Sequence, residues 1–208
     1  MGQAANKTNG LLATLAGVSA AIFLALSAAP ASANPAMTVG SVTSQPIGHY
    51  EFCQLNPNEC AIRSSNVAPM KLTNAMWREL NDINTTVNAA VKPMSDVDIY
   101  GKEELWALPV NGVGDCEDYV LEKQRQLRDA GVSLGNLLIT VVRRPDGEGH
   151  AVLTVRTDQG DYVLDNLSEK IEQWQETSYT YLKRQSSQNT GRWVTIRKGS
   201  TPTVAAVK

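Results

Sequence analysis

The chain has 208 residues, with 19 Lys and Arg against 21 Asp and Glu, a formal net charge of −2 at pH 7 and 42% hydrophobic residues. That length and composition suit one ordinary domain with enough apolar side chain to bury a core, and they exclude an intrinsically disordered chain. The near-neutral charge gives no electrostatic footprint for binding nucleic acid or an anionic membrane surface. Three cysteines are too few for a disulfide-built miniprotein, and their odd number leaves at least one thiol unpaired within the chain.

Lys7 is the one charged residue among the first 33, and it precedes an apolar stretch from Leu11 to Ala29. Pro30 and the small-x-small run Ala31-Ser32-Ala33 follow. This is the layout of a secretory signal peptide over 1–33, which predicts a mature chain that is periplasmic or secreted. The alternative is an uncleaved anchor, since the apolar stretch is nearly long enough to span a bilayer. No later segment is apolar for as long, so the sequence predicts no stable membrane insertion once the signal is removed. Residues 34–48, small and polar, read as an irregular lead-in. The domain proper is expected over 49–197 and a flexible tail over 198–208.

Cys53 and Cys60 flank the turn-forming Asn56-Pro57-Asn58, so their sulfurs can approach around a short loop. Disulfides persist outside the cytosol, and a Cys53–Cys60 pair is the first reading. Two free thiols or a metal site are the alternatives, the latter lacking a nearby histidine or further cysteines to complete it. Pairing these two leaves Cys116 as the lone thiol.

From Thr73 the apolar positions Met76, Leu80, Ile83, Val87 and Val91 mark one face of a helix that Pro93 ends. Residues 93–114 read as an ordered loop, with Trp106 and Leu108 as packing anchors. A second helix is expected from Cys116 to about Ala130, with Asp115 at its N-cap, Glu117 and Asp118 in its first turn, and Gly131 just past its end. Then the period changes. Leu137–Val142 is a β-branched run closed by Arg144-Pro145-Asp146-Gly147, and His150–Arg156 and Asp161–Leu167 are strands joined at Asp158-Gln159-Gly160. Trp193–Arg197 is a last strand. Helices followed by an antiparallel sheet define an α+β fold.

A cysteine hydrolase or transferase needs a thiolate, a base, and a group that orients the base. Cys116 at a helix start has backbone amides beside it, which favours the thiolate. His150 and Asp165 sit on one hairpin. With a two-residue loop, Thr157 faces Gly160, residue 165 falls opposite 152, and His150 and Asp165 share a face one diagonal step apart. Ala151, Leu153, Val155, Tyr162 and Leu164 then form a core layer on the other face. A three-residue loop would put His150 and Asp165 on opposite faces. Each residue alone also has a plain structural reading: a buried small hydrophobe, a strand histidine, a strand-end aspartate.

Gly114-Asp115-Cys116-Glu117-Asp118-Tyr119, preceded by Trp106-Ala107-Leu108-Pro109 and followed by Gly149-His150-Ala151-Val152-Leu153 and Val163-Leu164-Asp165-Asn166-Leu167, resembles the bacterial transglutaminase-like cysteine peptidases, which include the LapG-type periplasmic proteases. The resemblance spans roughly residues 49–197. It implies a papain/transglutaminase-like fold, with N-terminal helices packed on an antiparallel sheet, and an exported cysteine endopeptidase working through a thioester. By position, Cys116 would be nucleophile, His150 base and then acid, and Asp165 the orienting group. The oxyanion would be met by the Cys116 N–H and a second donor from the loop containing Trp106. LapG-type members bind calcium at the acids flanking the nucleophile, here Asp115 and Glu117; no organic cofactor is implied. Two carboxylates beside a thiol should raise its pKa, and an oxygen-bound Ca²⁺ would cancel their charge. The plain alternative is that Asp115 only caps the helix and Glu117 only complements its dipole. The implied partners are a protein substrate, a cell-surface adhesin in the best-known case, and an inner-membrane regulatory receptor. A transglutaminase-like acyltransferase and a non-catalytic binding domain on the same fold are the competing functions.

Overall fold

The computed structural model describes residues 1–2, 36–60 and 68–197; the expected signal peptide past its first two residues and the expected tail lie outside them. The chain divides into Met1–Ser32 and Ala33–Lys208, and everything below belongs to the second unit. It opens with strand β1 (Val39–Thr43) and helices α1 (Ile47–Leu55), α2 (Pro57–Cys60) and α3 (Asn74–Ala90). Next come β2 (Lys92–Pro93), α4 (Asp96–Tyr100), β3 (Val113–Gly114) and α5 (Cys116–Asp129). After a short 3-10 turn at Leu134–Asn136 follow β4 (Leu137–Arg143), β5 (Gly149–Thr157), β6 (Gly160–Leu164), β7 (Glu172–Gln173), β8 (Thr180–Ser186) and β9 (Asn189–Ile196). Among the described residues no helix is long and apolar enough to cross a membrane.

The amphipathic stretch after Thr73 folds as its periodicity dictates. Thr73 caps α3 by accepting the Met76 N–H at 3.1 Å, and Leu80, Ile83 and Val87 are buried. α5 ends at Asp129, and Gly131 just past its C-cap takes the left-handed conformation (φ 93°) that a side chain would resist.

β1 and β4 to β9 build a seven-stranded antiparallel sheet of order β1-β9-β8-β4-β5-β6-β7. The β5–β6 hairpin has the two-residue register: Thr157 opposite Gly160, Val155 opposite Tyr162, Leu153 opposite Leu164. Its alternation divides the interior into two layers. Ala151, Leu153, Val155 and Leu164 pack with Leu80, Val87, Tyr119 and Leu127 of the helices. Val142, Val152, Val163, Tyr181 and Ile196 form the layer on the far face, where Met37 joins them.

Several segments differ from their sequence-based expectation, among them the short loop around Asn56-Pro57-Asn58, which is built from the ends of α1 and α2. The lead-in over 34–48 is not wholly irregular: Val39–Thr43 pairs with β9 as the sheet's edge, drawing its order from the partner strand rather than from its own weak pattern. The stretch 93–114 carries α4, capped by Ser95, and β3, which runs parallel to β2. β7 and β8 fall in 168–192, where the polar sequence offers no clear alternation.

Cys53 and Cys60 form a disulfide with Cα atoms 5.4 Å apart, tying α1 to α2. A metal-ligating histidine near these sulfurs was not evident in the sequence. The buried ring of His49, one turn before Cys53, nonetheless lies 3.7 Å from its sulfur. α1 comes unusually close to the loop after α4: a Cβ on Gly48 would stand 2.3 Å from Trp106 Cδ1.

Candidate active site

Cys116 opens α5, and a close backbone approach delivers it there. A Cβ on Gly114 would lie 2.7 Å from the Asp118 Cβ and Oδ2, so the turn into the helix has room for glycine alone. Asp118 is fully buried and accepts the Ala107 N–H at 2.9 Å, which fastens the Trp106 loop to the first turn of α5.

The half-buried Cys116 thiol donates to Glu117 Oε2 at 2.7 Å, and among the described residues no hydrogen bond joins it to His150. Burial pushes the thiol pKa above its ordinary value, and the carboxylates of Glu117 and Asp115 push it further. Asp115 stands at the N-cap position, yet its side chain makes no capping hydrogen bond, so the plain capping role is not realised. Its carboxyl instead turns to Glu117 and to a residue the sequence did not announce, Asp96 at the start of α4. One carboxylate oxygen from each of Asp96, Asp115 and Glu117 can be chosen so that all lie within 4.8 Å of one another. Burial, then Glu117 and Asp96, pushes Asp115 up to about 8; burial, then Asp115 and Asp96, pushes Asp118 up to about 7. Asp96 Oδ1, Asp115 Oδ1 and Asp118 Oδ2 are buried with no hydrogen-bond partner. A set of oxygen donors short of positive charge suits a hard divalent cation.

On the opposite side of the cleft the Asp165 carboxylate is fully paired. His150, the second residue of β5, is 6% exposed. Its Nε2 hydrogen-bonds Asp165 Oδ1 at 2.8 Å, the diagonal pairing that the two-residue hairpin loop makes possible. The same oxygen accepts the Leu167 N–H at 3.0 Å, and Asp165 Oδ2 accepts the Tyr179 hydroxyl at 2.5 Å. Burial alone would raise the Asp165 pKa, but the His150, Leu167 and Tyr179 donors outweigh it and hold the carboxyl below its ordinary value. The Tyr179 ring lies 5.6 Å from the imidazole, and burial together with the Asp165 charge raises its hydroxyl pKa.

Cys116, Glu117, His150, Ala151 and Trp106 line one cavity of about 330 Å³, with Pro46, Glu104 and Lys183 also in its wall. On its other side Cys116 borders a second cavity of about 540 Å³, beside Met94, Ser95, Asp98, Asp115 and Asn166. Trp106 packs edge-on against His49 and donates its indole N–H to Glu104 Oε1 at 2.9 Å.

The fold thus brings Cys116, His150 and Trp106 to one cavity, Asp165 to His150, and Asp115 to Glu117; the Cys53–Cys60 disulfide is no part of that wall. Sequence reasoning missed Asp96 and Tyr179. Ser95, a good helix N-cap, was the available signal for a helix start at Asp96. Tyr179 lies in a short connection with no local pattern.

A cysteine at a helix start, packed against an antiparallel sheet that carries a histidine–aspartate pair, is the architecture of a transglutaminase-like thiol enzyme. The chain belongs to the bacterial transglutaminase-like cysteine proteinase family, whose profile matches residues 39–201, and it is therefore a cysteine peptidase by family. Among solved structures, the calcium-bound LapG of Legionella pneumophila shares the fold, with a TM-score of 0.50 and 22% identity over 76% of this chain and 86% of that one. A second Legionella pneumophila LapG structure gives a TM-score of 0.49 and 22% identity over 73% and 81%. No curated protein sequence matches the chain.

Proposed function

We propose that this protein is an exported cysteine endopeptidase in which Cys116, His150 and Asp165 form the catalytic triad. The observation that carries the reading is the 2.8 Å His150–Asp165 hydrogen bond, set on the same cavity as the helix-terminal thiol. With Nε2 engaged by Asp165, Nδ1 is the ring nitrogen that takes the thiol proton. Cys116 Sγ then attacks the substrate carbonyl carbon, and the carbonyl oxygen becomes an oxyanion facing the Cys116 backbone N–H. The Trp106 indole N–H is the second donor, once it leaves the exposed Glu104 side chain. His150 returns its proton to the departing amine, leaving a thioester. A water that gives its proton to His150 hydrolyses the thioester, and the thiol re-forms.

The reading includes calcium, held by Asp96, Asp115 and Glu117. Unpartnered buried oxygens in this cluster and the calcium-bound state of the Legionella LapG support it. A bound Ca²⁺ supplies positive charge that offsets the carboxylates beside the thiol. The signal-like leader supports a periplasmic or secreted location, and the family resemblance supports a cell-surface adhesin as substrate and an inner-membrane receptor as regulator.

Treating the mature protein with iodoacetamide, with and without EGTA, and mapping the labelled thiol tests the nucleophile and the ion together. Cys116 is expected to label faster than free cysteine in calcium and more slowly in EGTA; labelling no faster than free cysteine overturns the nucleophile. In parallel, Cys116→Ala is expected to fold normally and leave a proteome-derived peptide library uncut, where the wild type cuts it.

A further inference from the structure

Lys123 is fully buried on α5, seven residues after the candidate nucleophile, and no step of the proposed chemistry touches it. Removing an ammonium from water costs several kcal/mol unless the site returns strong partners. Its hydrogen-bond partner is Asn84 Oδ1 of α3, at 2.8 Å in the buried interior. Burial pulls the Lys123 pKa down to about 7, against the opposing pull of Asp165.

An asparagine amide has an acceptor end and a donor end, and a lysine can satisfy only the acceptor. With Oδ1 held by Lys123, the equally buried Asn84 must aim its Nδ2 at the chain that follows β6. There it donates to the Ser168 carbonyl at 3.2 Å and the Glu169 carbonyl at 3.1 Å. One turn further along α3, Asn88 Nδ2 donates to the Asp165 carbonyl at 2.9 Å and the Ser168 carbonyl at 3.3 Å. The segment that starts with Asp165 is thereby held by its backbone carbonyls on one side, while its carboxylate meets His150 on the other.

We infer that Lys123 and Asn84 are positioning residues for the proposed triad: Lys123 fixes the orientation of the Asn84 amide, and that amide clamps 168–169 so that Asp165 meets His150 at hydrogen-bonding distance. The inference rests on the peptidase reading for its effect on rate, but the clamp itself can be read independently. A misplacement of even 1 Å in such a group is costly, and residues that orient an active group commonly change activity about 10–100-fold.

Two variants test it. Asn84→Asp keeps an acceptor for Lys123 but cannot donate to the Ser168 and Glu169 carbonyls. Lys123→Met removes the ammonium, fills its volume, and leaves the Asn84 amide free to turn over. In calcium, on a peptide that the wild type cuts, each is expected to lower kcat about tenfold with KM unchanged. Each should also move the downfield proton resonance of the His150 ring N–H shared with Asp165, while the thermal transition stays cooperative. A folded variant of either kind with wild-type kcat and an unmoved His150 resonance overturns the clamp. If Asn84→Asp does not fold, Lys123→Met decides by the same two readouts. If the wild type cuts nothing and Cys116 does not label, the peptidase reading has failed, whereas the His150 resonance still decides the clamp.

Discussion

Asp165 and Asp115 are both carboxylates withdrawn from water near the candidate nucleophile or its base, and they end in opposite states. Asp165 faces three donors from His150, Leu167 and Tyr179, and stays ionised below its ordinary pKa. Asp115 faces Glu117 and Asp96, has an oxygen with no partner, and is pushed up to about 8. Burial is common to both; what differs is the sign of the neighbours. One side of the cleft is electrostatically complete, and the other is complete only when something positive joins it.

The largest test of this contrast is on the complete side. Asp165→Asn keeps the shape but reverses one hydrogen-bonding partner of His150, and kcat is expected to fall on the order of 10³–10⁴-fold with an unchanged thermal transition. A loss under tenfold would mean that the paired side is structural.

The incomplete side is tested by calcium and pH. The folded-state pKa of Asp115, about 8, lies above its ordinary 3.8, so the native state holds a proton that the unfolded chain has released. Without calcium, stability should therefore decline as pH rises from about 4 through about 8. Calcium at a hundred times its Kd should restore about 2.7 kcal/mol and flatten the decline. Asp115→Asn should make the decline shallower in EGTA, leaving the share carried by Asp118 and Glu117. Melting curves over that pH range, with and without calcium, check all three, and a metal-free profile that rises with pH would contradict the assignment.

A smaller effect is expected at Tyr179. Tyr179→Phe removes one donor from Asp165 and keeps the ring against His150; a hydrogen bond to a charged group contributes about 1.5–3 kcal/mol, so kcat should fall about tenfold or somewhat more. The effect at Gly48→Ala is expected chiefly in stability: its methyl would stand 2.3 Å from Trp106 Cδ1 and 2.7 Å from Nε1, lowering stability by about 1–3 kcal/mol in denaturant titrations and lowering kcat only as far as it displaces the indole donor.

Much of the complete side was legible in the sequence. The hairpin turn Asp158-Gln159 sets a register, the register puts His150 and Asp165 on one face, and the hydrophobic alternation marks the other face as the one the helices cover. These are short-range rules, and short-range rules are what one sequence displays. The incomplete side was only half legible. Asp115 and Glu117 sit beside Cys116 in the chain, but Asp96 joins them through the fold, and nothing near Ser95-Asp96 announces where its carboxyl will point. Tyr179 and Lys123 were invisible for the same reason: each acts through a partner at least 14 residues away. β1 was missed because an edge strand of small residues is ordered by β9, not by its own pattern.

The topology of the sheet also bears on when this chain becomes reactive. The β5–β6 hairpin closes over a two-residue loop, so His150 and Asp165 need only local chain closure to meet. Asp96, Cys116 and Tyr179 join them only when α4, α5 and the connection before β8 have docked on that hairpin. An unfolded chain therefore carries every one of these residues and none of the arrangement. The proposed triad is therefore a property of the docked fold and not of the hairpin alone.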